Sequence, residues 1–169
     1  MLKPAQLYTN ELKKKFWEIA FEDKYMFVND GYSEDYQPSN NTWNEHEFVS
    51  ISDIGELLGY IRYNVNQRSE VVSGLCAINF SNSIIYARDL FKAIDDVFRK
   101  YKYRKLKFGV FIGNPVEKTY DKLINKYGGR IIGISKADAK LLDGEWHDYK
   151  YYEIFREDYL KVRGSRIKA

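Results

Sequence analysis

Three small polar residues, Ser81, Asn82 and Ser83, separate an apolar run ending at Phe80 from an amphipathic stretch that opens near Ile84. At a strand-to-helix junction such side chains accept hydrogen bonds from the first helical amides, and the amides left over attract anions. The turn therefore acts either as a helix cap or as an anion cradle, with Arg88 one helical turn on as a solvated residue or a counter-charge. Tyr120 shares the stripe Val116, Tyr120, Leu123, Ile124 and Tyr127. It is either a packing residue or a proton donor.

Proton acceptors are harder to single out. His46 and Glu47 open one strand and Glu70 opens another, and any of the three could take a proton through water. His147, beside Asp148 in a turn, reads as structural. The polar segment from Phe27 to Trp43 holds Glu34, Asp35, Tyr36 and Trp43. Carboxylates mixed with aromatic rings suit an organic cation, and solvated loop residues are the plain alternative. Two His and one Cys at scattered positions make no metal-ligand spacing, so no metal is expected. Cys76 lies inside an apolar stretch, has no disulfide partner, and is expected in the core.

The bulk numbers limit what these residues can belong to. A chain of 169 residues suits one domain over 1–169. Lys and Arg number 27 against 24 Asp and Glu, a net charge of +3. That balance argues against nucleic acid as a partner, although Lys100, Lys102, Arg104, Lys105 and Lys107 cluster at one helix end. No apolar run reaches the roughly 20 residues that span a bilayer. The first residues lack a signal peptide's apolar segment, and a cytoplasmic location is the expectation.

The elements that must position these residues follow from period and punctuation. Thr9 or Asn10 caps a helix with Leu12, Phe16, Ile19 and Ala20 on one face. EFVSIS and ELLGYIRYNV form a hairpin around SDIG, and EVVSGLCAINF is a third strand, apolar on both faces. A helical stripe runs from Ala87 to Tyr101, and Lys105 to Ile112 alternates as a strand. Asn114, Pro115 and Glu117 write the start of another helix, which Gly128 and Gly129 end. RIIGISKADAKLL and HDYKYYEIFRE close the chain as a hairpin around DGEW. The class is α/β (α+β), a mixed and mostly antiparallel central sheet with helices on both faces.

Three stretches in this order resemble the GNAT superfamily of acyl-CoA-dependent N-acyltransferases: the strand, turn and helix from Glu70 to Tyr101, the segment GNPVEKTYDKL, and the hairpin DGEWHDYKYYEIFREDY. The likeness covers about residues 45–159. It implies acetyl-CoA as cosubstrate, held in a wedge between EVVSGLCAINF and KLKFGVFI. Backbone at Ala77, Ile78 and Asn79 would pair with the pantetheine arm. Amides of Ser81, Asn82, Ser83, Ile84, Ile85 and Tyr86, with Arg88 and Asn114, would hold the phosphate end. Tyr120 would protonate the leaving thiolate, and Glu34, Asp35, Tyr36 and Trp43 would meet the acceptor.

The turn departs from the family pattern. Glycines that let backbone approach phosphate are absent, and β-branched Ile84 and Ile85 are expected to narrow the cradle. The implied activity is acetyl transfer from acetyl-CoA to a primary amine by direct attack. A catalytically silent module that serves as a binding or interaction domain is the alternative. The partners are acetyl-CoA and an amine, in a monomer or homodimer, with no membrane.

Overall fold

The computed structural model describes residues 1–20, 22, 25–27 and 36–165. Strand β1 (Leu2–Pro4) leads through a 3-10 turn, Ala5–Tyr8, into helix α1 (Thr9–Ile19), which buries Leu12, Phe16 and Ile19. Then follow β2 (Glu45–Ile51), β3 (Leu57–Asn66), β4 (Val71–Asn79), α2 (Ile84–Arg99), β5 (Lys105–Phe111), α3 (Glu117–Tyr127), β6 (Arg130–Lys140), β7 (Trp146–Phe155) and α4 (Arg156–Ser165). Strand β1 and helix α4 are additions to the sequence reading.

The strands form one seven-stranded sheet in the order β1-β2-β3-β4-β5-β7-β6. Five neighbouring pairs are antiparallel, and only β4 and β5 run parallel. The helical crossover α2 requires that direction, since a strand that returns through a helix re-enters the sheet parallel. Pairing between β4 and β5 covers just Val71 with Lys105 and Val72 with Leu106. Beyond those two rungs the strands part, and the sheet is open from Ser73 to Asn79.

Helices cover the two faces unequally. On the back, α2, α3 and α4 bury Ile94, Phe98, Tyr120 and Tyr159 against Val72, Leu106 and Phe108. On the front, α1 packs Leu12 and Phe16 onto Val49, Tyr60 and Ile78, and this cluster holds no residue of β5, β6 or β7. Among the described residues no helix is long and apolar enough to cross a membrane.

One backbone irregularity decides what faces the opening. Arg62 pairs with Cys76, but the next matched rung is Asn64 with Ser73, so Gly74 and Leu75 oppose Tyr63 alone. Gly74 sits at φ +63, a left-handed conformation that only glycine takes without strain. Side chains alternate along a regular strand, and an extra residue reverses the alternation. Val72 therefore faces the back cluster while Cys76 and Ile78 face the front. Cys76 is consequently not sealed in the core as expected: it is half-buried and lines the opening.

Candidate functional site

The opening between β4 and β5 is a cleft of about 360 Å³, walled by Cys76, Ala77 and Ile78 on one side and Gly109, Val110 and Phe111 on the other. Because the sheet is interrupted here, groups from both faces reach the same space. Tyr120 comes from α3 behind the sheet, and Phe27 and Tyr149 come from the front. Gly109 is required by the front wall: a Cβ there would lie 2.1 Å from the Tyr149 ring.

Tyr120 is packed edge-on against Phe108 at 5.1 Å and Tyr152 at 6.2 Å, and is 8% exposed. Its hydroxyl has no hydrogen-bond partner among the described residues. Burial, with lesser contributions from Cys76, Tyr149 and Tyr152, pushes this phenol well above its ordinary value. It stays protonated and points a free donor into the cleft. Asn114 also lines the cleft, with its Oδ1 accepting from the Val116 amide at 3.0 Å. Glu117 Oε2 accepts from the Gly113 amide at 3.1 Å, so the capping pair is present but α3 starts at Glu117 instead of Pro115.

The turn at the mouth of the cleft is built by its own side chains. Asn79 Oδ1 accepts from the Ser81 amide at 3.3 Å, and Ser81 Oγ donates to the Leu58 carbonyl at 3.3 Å. Ser83 Oγ accepts from the Ile85 amide at 3.1 Å, the N-cap contact. Asn82 adopts φ +52, the left-handed geometry that Asn tolerates best after glycine. These bonds leave the amides of Asn82, Ser83, Ile84 and Tyr86 without partners among the described residues, at the positive end of a 16-residue helix. Ser83 keeps its hydroxyl hydrogen for an anion, whereas Ser81 has committed its own.

Narrowing of this cradle by the two isoleucines is not what the structure has. Ile84 is 84% exposed, and Ile85 packs beside Leu58 and Ile61. Tyr86 is buried with its hydroxyl donating to the Tyr60 carbonyl at 3.1 Å, so only its amide faces the turn. Arg88 is exposed and makes no ion pair among the described residues.

Of the proton acceptors, only Glu47 lies on the front face. Glu47 pairs with Arg62, and Arg62 with Cys76, so the three form one row across β2, β3 and β4 that ends at the cleft. Glu47 Oε2 accepts from Tyr60 at 2.7 Å and from Tyr36, and Oε1 accepts from the Ser39 amide at 3.0 Å. His46 points to the back, stacked on Tyr63 at 5.1 Å, where burial lowers its affinity for a proton. Glu70 precedes the two paired rungs and stands at the closed end of the cleft. His147 contacts Asp143 at 2.8 Å in the last hairpin.

The residues expected around an acceptor divide. Tyr36 packs edge-on against Phe16 at 4.9 Å and holds Glu47. Trp43 is 71% exposed and is not among the residues that line the cleft. Glu34 and Asp35 lie outside the described residues. Among the described residues no group of three or more His, Cys, Asp or Glu could hold a metal. Sequence reading missed the Glu47, Arg62, Cys76 row and the Gly74 bulge. A glycine inside an otherwise apolar strand was the one available signal for the bulge.

No family model matches the chain, and no curated protein does. Solved structures match in fold. A GCN5-related N-acetyltransferase from Brucella melitensis superposes with a TM-score of 0.68 at 15% identity, over 96% of this chain and 78% of the other. The spermidine/spermine N-acetyltransferase SpeG from Vibrio cholerae, in complex with manganese ions, gives a TM-score of 0.59 at 18% identity, over 90% of this chain and 77% of the other. The chain has the fold of these N-acetyltransferases, the GNAT fold.

Proposed function

From that fold, we propose that this protein transfers an acetyl group from acetyl-CoA to a primary amine by direct attack. The observation that carries the reading is the parting of β4 from β5 after two rungs, with unpaired amides at its mouth and the Tyr120 phenol inside it. A fold alone does not choose a chemistry, but these groups fit the donor. The open edge of β4 from Cys76 to Asn79 offers backbone partners to a pantetheine arm. The amides of Asn82, Ser83, Ile84 and Tyr86 and the Ser83 hydroxyl suit a pyrophosphate, with Arg88 free to approach.

Acetyl-CoA, when bound, supplies an acetyl group activated as a thioester. Tyr120 then donates a hydrogen bond to the departing sulfur. A thiol titrates near ~8.5 and an ordinary phenol near ~10, and burial raises this one further. Full proton transfer from phenol to thiolate is therefore uphill, and Tyr120 acts by stabilising developing charge more than by giving up its proton. Glu47 accepts the amine's proton through water, because two strand spacings, about 10 Å, separate its strand from β4. Arg62, between Glu47 and Cys76 in the row, keeps the carboxylate side of the cleft from becoming a purely anionic surface.

Calorimetric titration with acetyl-CoA, followed by assay of CoA thiol release with a panel of amines, tests this reading. Saturable heat and amine-dependent thiol release are expected. No heat at millimolar acetyl-CoA would sink it and leave the silent binding module as the account of the fold.

A further inference from the structure

A bulge in β6 borders the cleft on the flank opposite Gly74. Ser135 pairs with Tyr149 and Ala139 with His147, so Lys136, Ala137 and Asp138 all oppose Asp148 of β7. Ala137 takes φ +47 there, a left-handed conformation that is costly for any residue with a Cβ. Asp148 holds the distortion in place. Its Oδ1 accepts from the Ala137 amide at 3.0 Å, its Oδ2 from Lys136 Nζ at 2.6 Å, and its carbonyl from the Ile112 amide at 2.9 Å, just past the end of β5. The bond from Lys136 first, and the Ala137 amide next, keep this carboxyl below its ordinary value. The bulge is thus fastened to the strand that walls the cleft, and Asp138 stands among the lining residues. Backbone strain of this kind persists only where surrounding contacts over-determine it, and it gathers at functional positions.

Among the described residues the cleft lining carries two charged groups, Arg62 from β3 and Asp138 from β6, on opposite flanks. Resting on the acyltransferase reading, we propose that Asp138 receives the acceptor's cationic amine, and that Asp148 positions it through the bulge. A lysine-like primary amine titrates near ~10.4, so it arrives at neutral pH as an ammonium ion. Such an ion favours the Asp138 flank over the Arg62 flank. Asp138 is exposed, and it makes no hydrogen bond or ion pair among the described residues that would have to break first. Lys136, two residues away, is committed to Asp148. Holding the ammonium is a ground-state interaction, so Asp138 acts on KM and leaves the chemical step to the groups around the sulfur.

The probes are n-butylamine and n-butanol, a cation and a neutral molecule of like size, titrated into the full chain. NMR follows the Asp138 carboxyl carbon, assigned by its loss in Asp138→Asn, a change at an exposed position. Butylamine is expected to shift that resonance saturably and to bind at least about tenfold more tightly than butanol. In Asp138→Asn the two should bind within about twofold of each other. Asp148→Ala should weaken butylamine at least about fivefold, whereas Asp148→Asn, which keeps an acceptor for the Ala137 amide, should recover most of the wild-type affinity. A silent Asp138 resonance, butanol bound as tightly as butylamine, or a butylamine preference that survives Asp138→Asn overturns the proposal. Equal butylamine affinity in Asp148→Ala overturns its positioning half. Calorimetry with acetyl-CoA on the same protein separates the two readings. Absent heat with the butylamine contact intact would defeat the acyltransferase reading and leave Asp138 as a cation site, and normal heat with no butylamine contact would do the reverse.

Discussion

Val72 faces Leu106 across the last rung that joins β4 to β5, and every residue of β4 after it lies along an open edge. Filling that edge should weaken donor binding. Ala77 lines the cleft, so Ala77→Trp is expected to weaken acetyl-CoA binding at least about tenfold while the thermal midpoint stays near that of the wild type. Calorimetry beside a melting curve checks both halves. An unchanged dissociation constant would show that the donor does not use this gap.

Tyr120→Phe removes one hydroxyl that has no partner among the described residues and keeps the ring that packs on Phe108. Turnover should fall by about 10²-fold, the usual effect of losing one donor to a developing charge. Acetyl-CoA affinity should hold, since the lost interaction is made only as the sulfur leaves. Steady-state kinetics with wild-type turnover would take Tyr120 out of the mechanism.

Cys76 is the chain's single cysteine and lines the cleft. Iodoacetamide should therefore modify one site, and saturating acetyl-CoA should slow that modification. Mass spectrometry of the alkylated chain over time reads the rate directly. Equal rates with and without acetyl-CoA would place the ligand elsewhere.

Glu153 gives a pH signature far from the proposed chemistry. Its side chain is 5% exposed and bonds Lys105 at 2.9 Å and Arg130 at 2.6 Å. Burial alone would raise its pKa, but the hydrogen bonds to Lys105 and Arg130 outweigh it and the net shift is downward from 4.5. A carboxylate with a depressed folded pKa contributes its full stability above the unfolded value, and loses it as pH falls through the folded one. Glu153→Gln should thus cost on the order of 1–3 kcal/mol near neutral pH. The gap between wild type and variant should shrink below 4.5. Urea melts at neutral and acid pH measure it, and a gap that widened in acid would reverse the assigned sign.

What the sequence determined by itself is local. Hydrophobic period and capping residues located α1, α2, α3 and six of the seven strands, because each depends on neighbours a few positions away. The parallel step from β4 to β5 was also legible, since a strand, one helix and a strand leave little other choice. The same local signals placed Asn114 at a helix start and Tyr120 on that helix's apolar stripe. The tertiary structure alone decided which face each strand residue serves. One extra residue at Gly74 turns Cys76 from the core to the cleft, and no periodicity carries that information, because a strand apolar on both faces reads the same in either register. Cross-strand register likewise joined Glu47 to Arg62 and Cys76 from three separate strands, and set His46 on the opposite face one residue away. Which side chains meet across a sheet depends on pairing between distant segments, and that is settled only when the sheet forms.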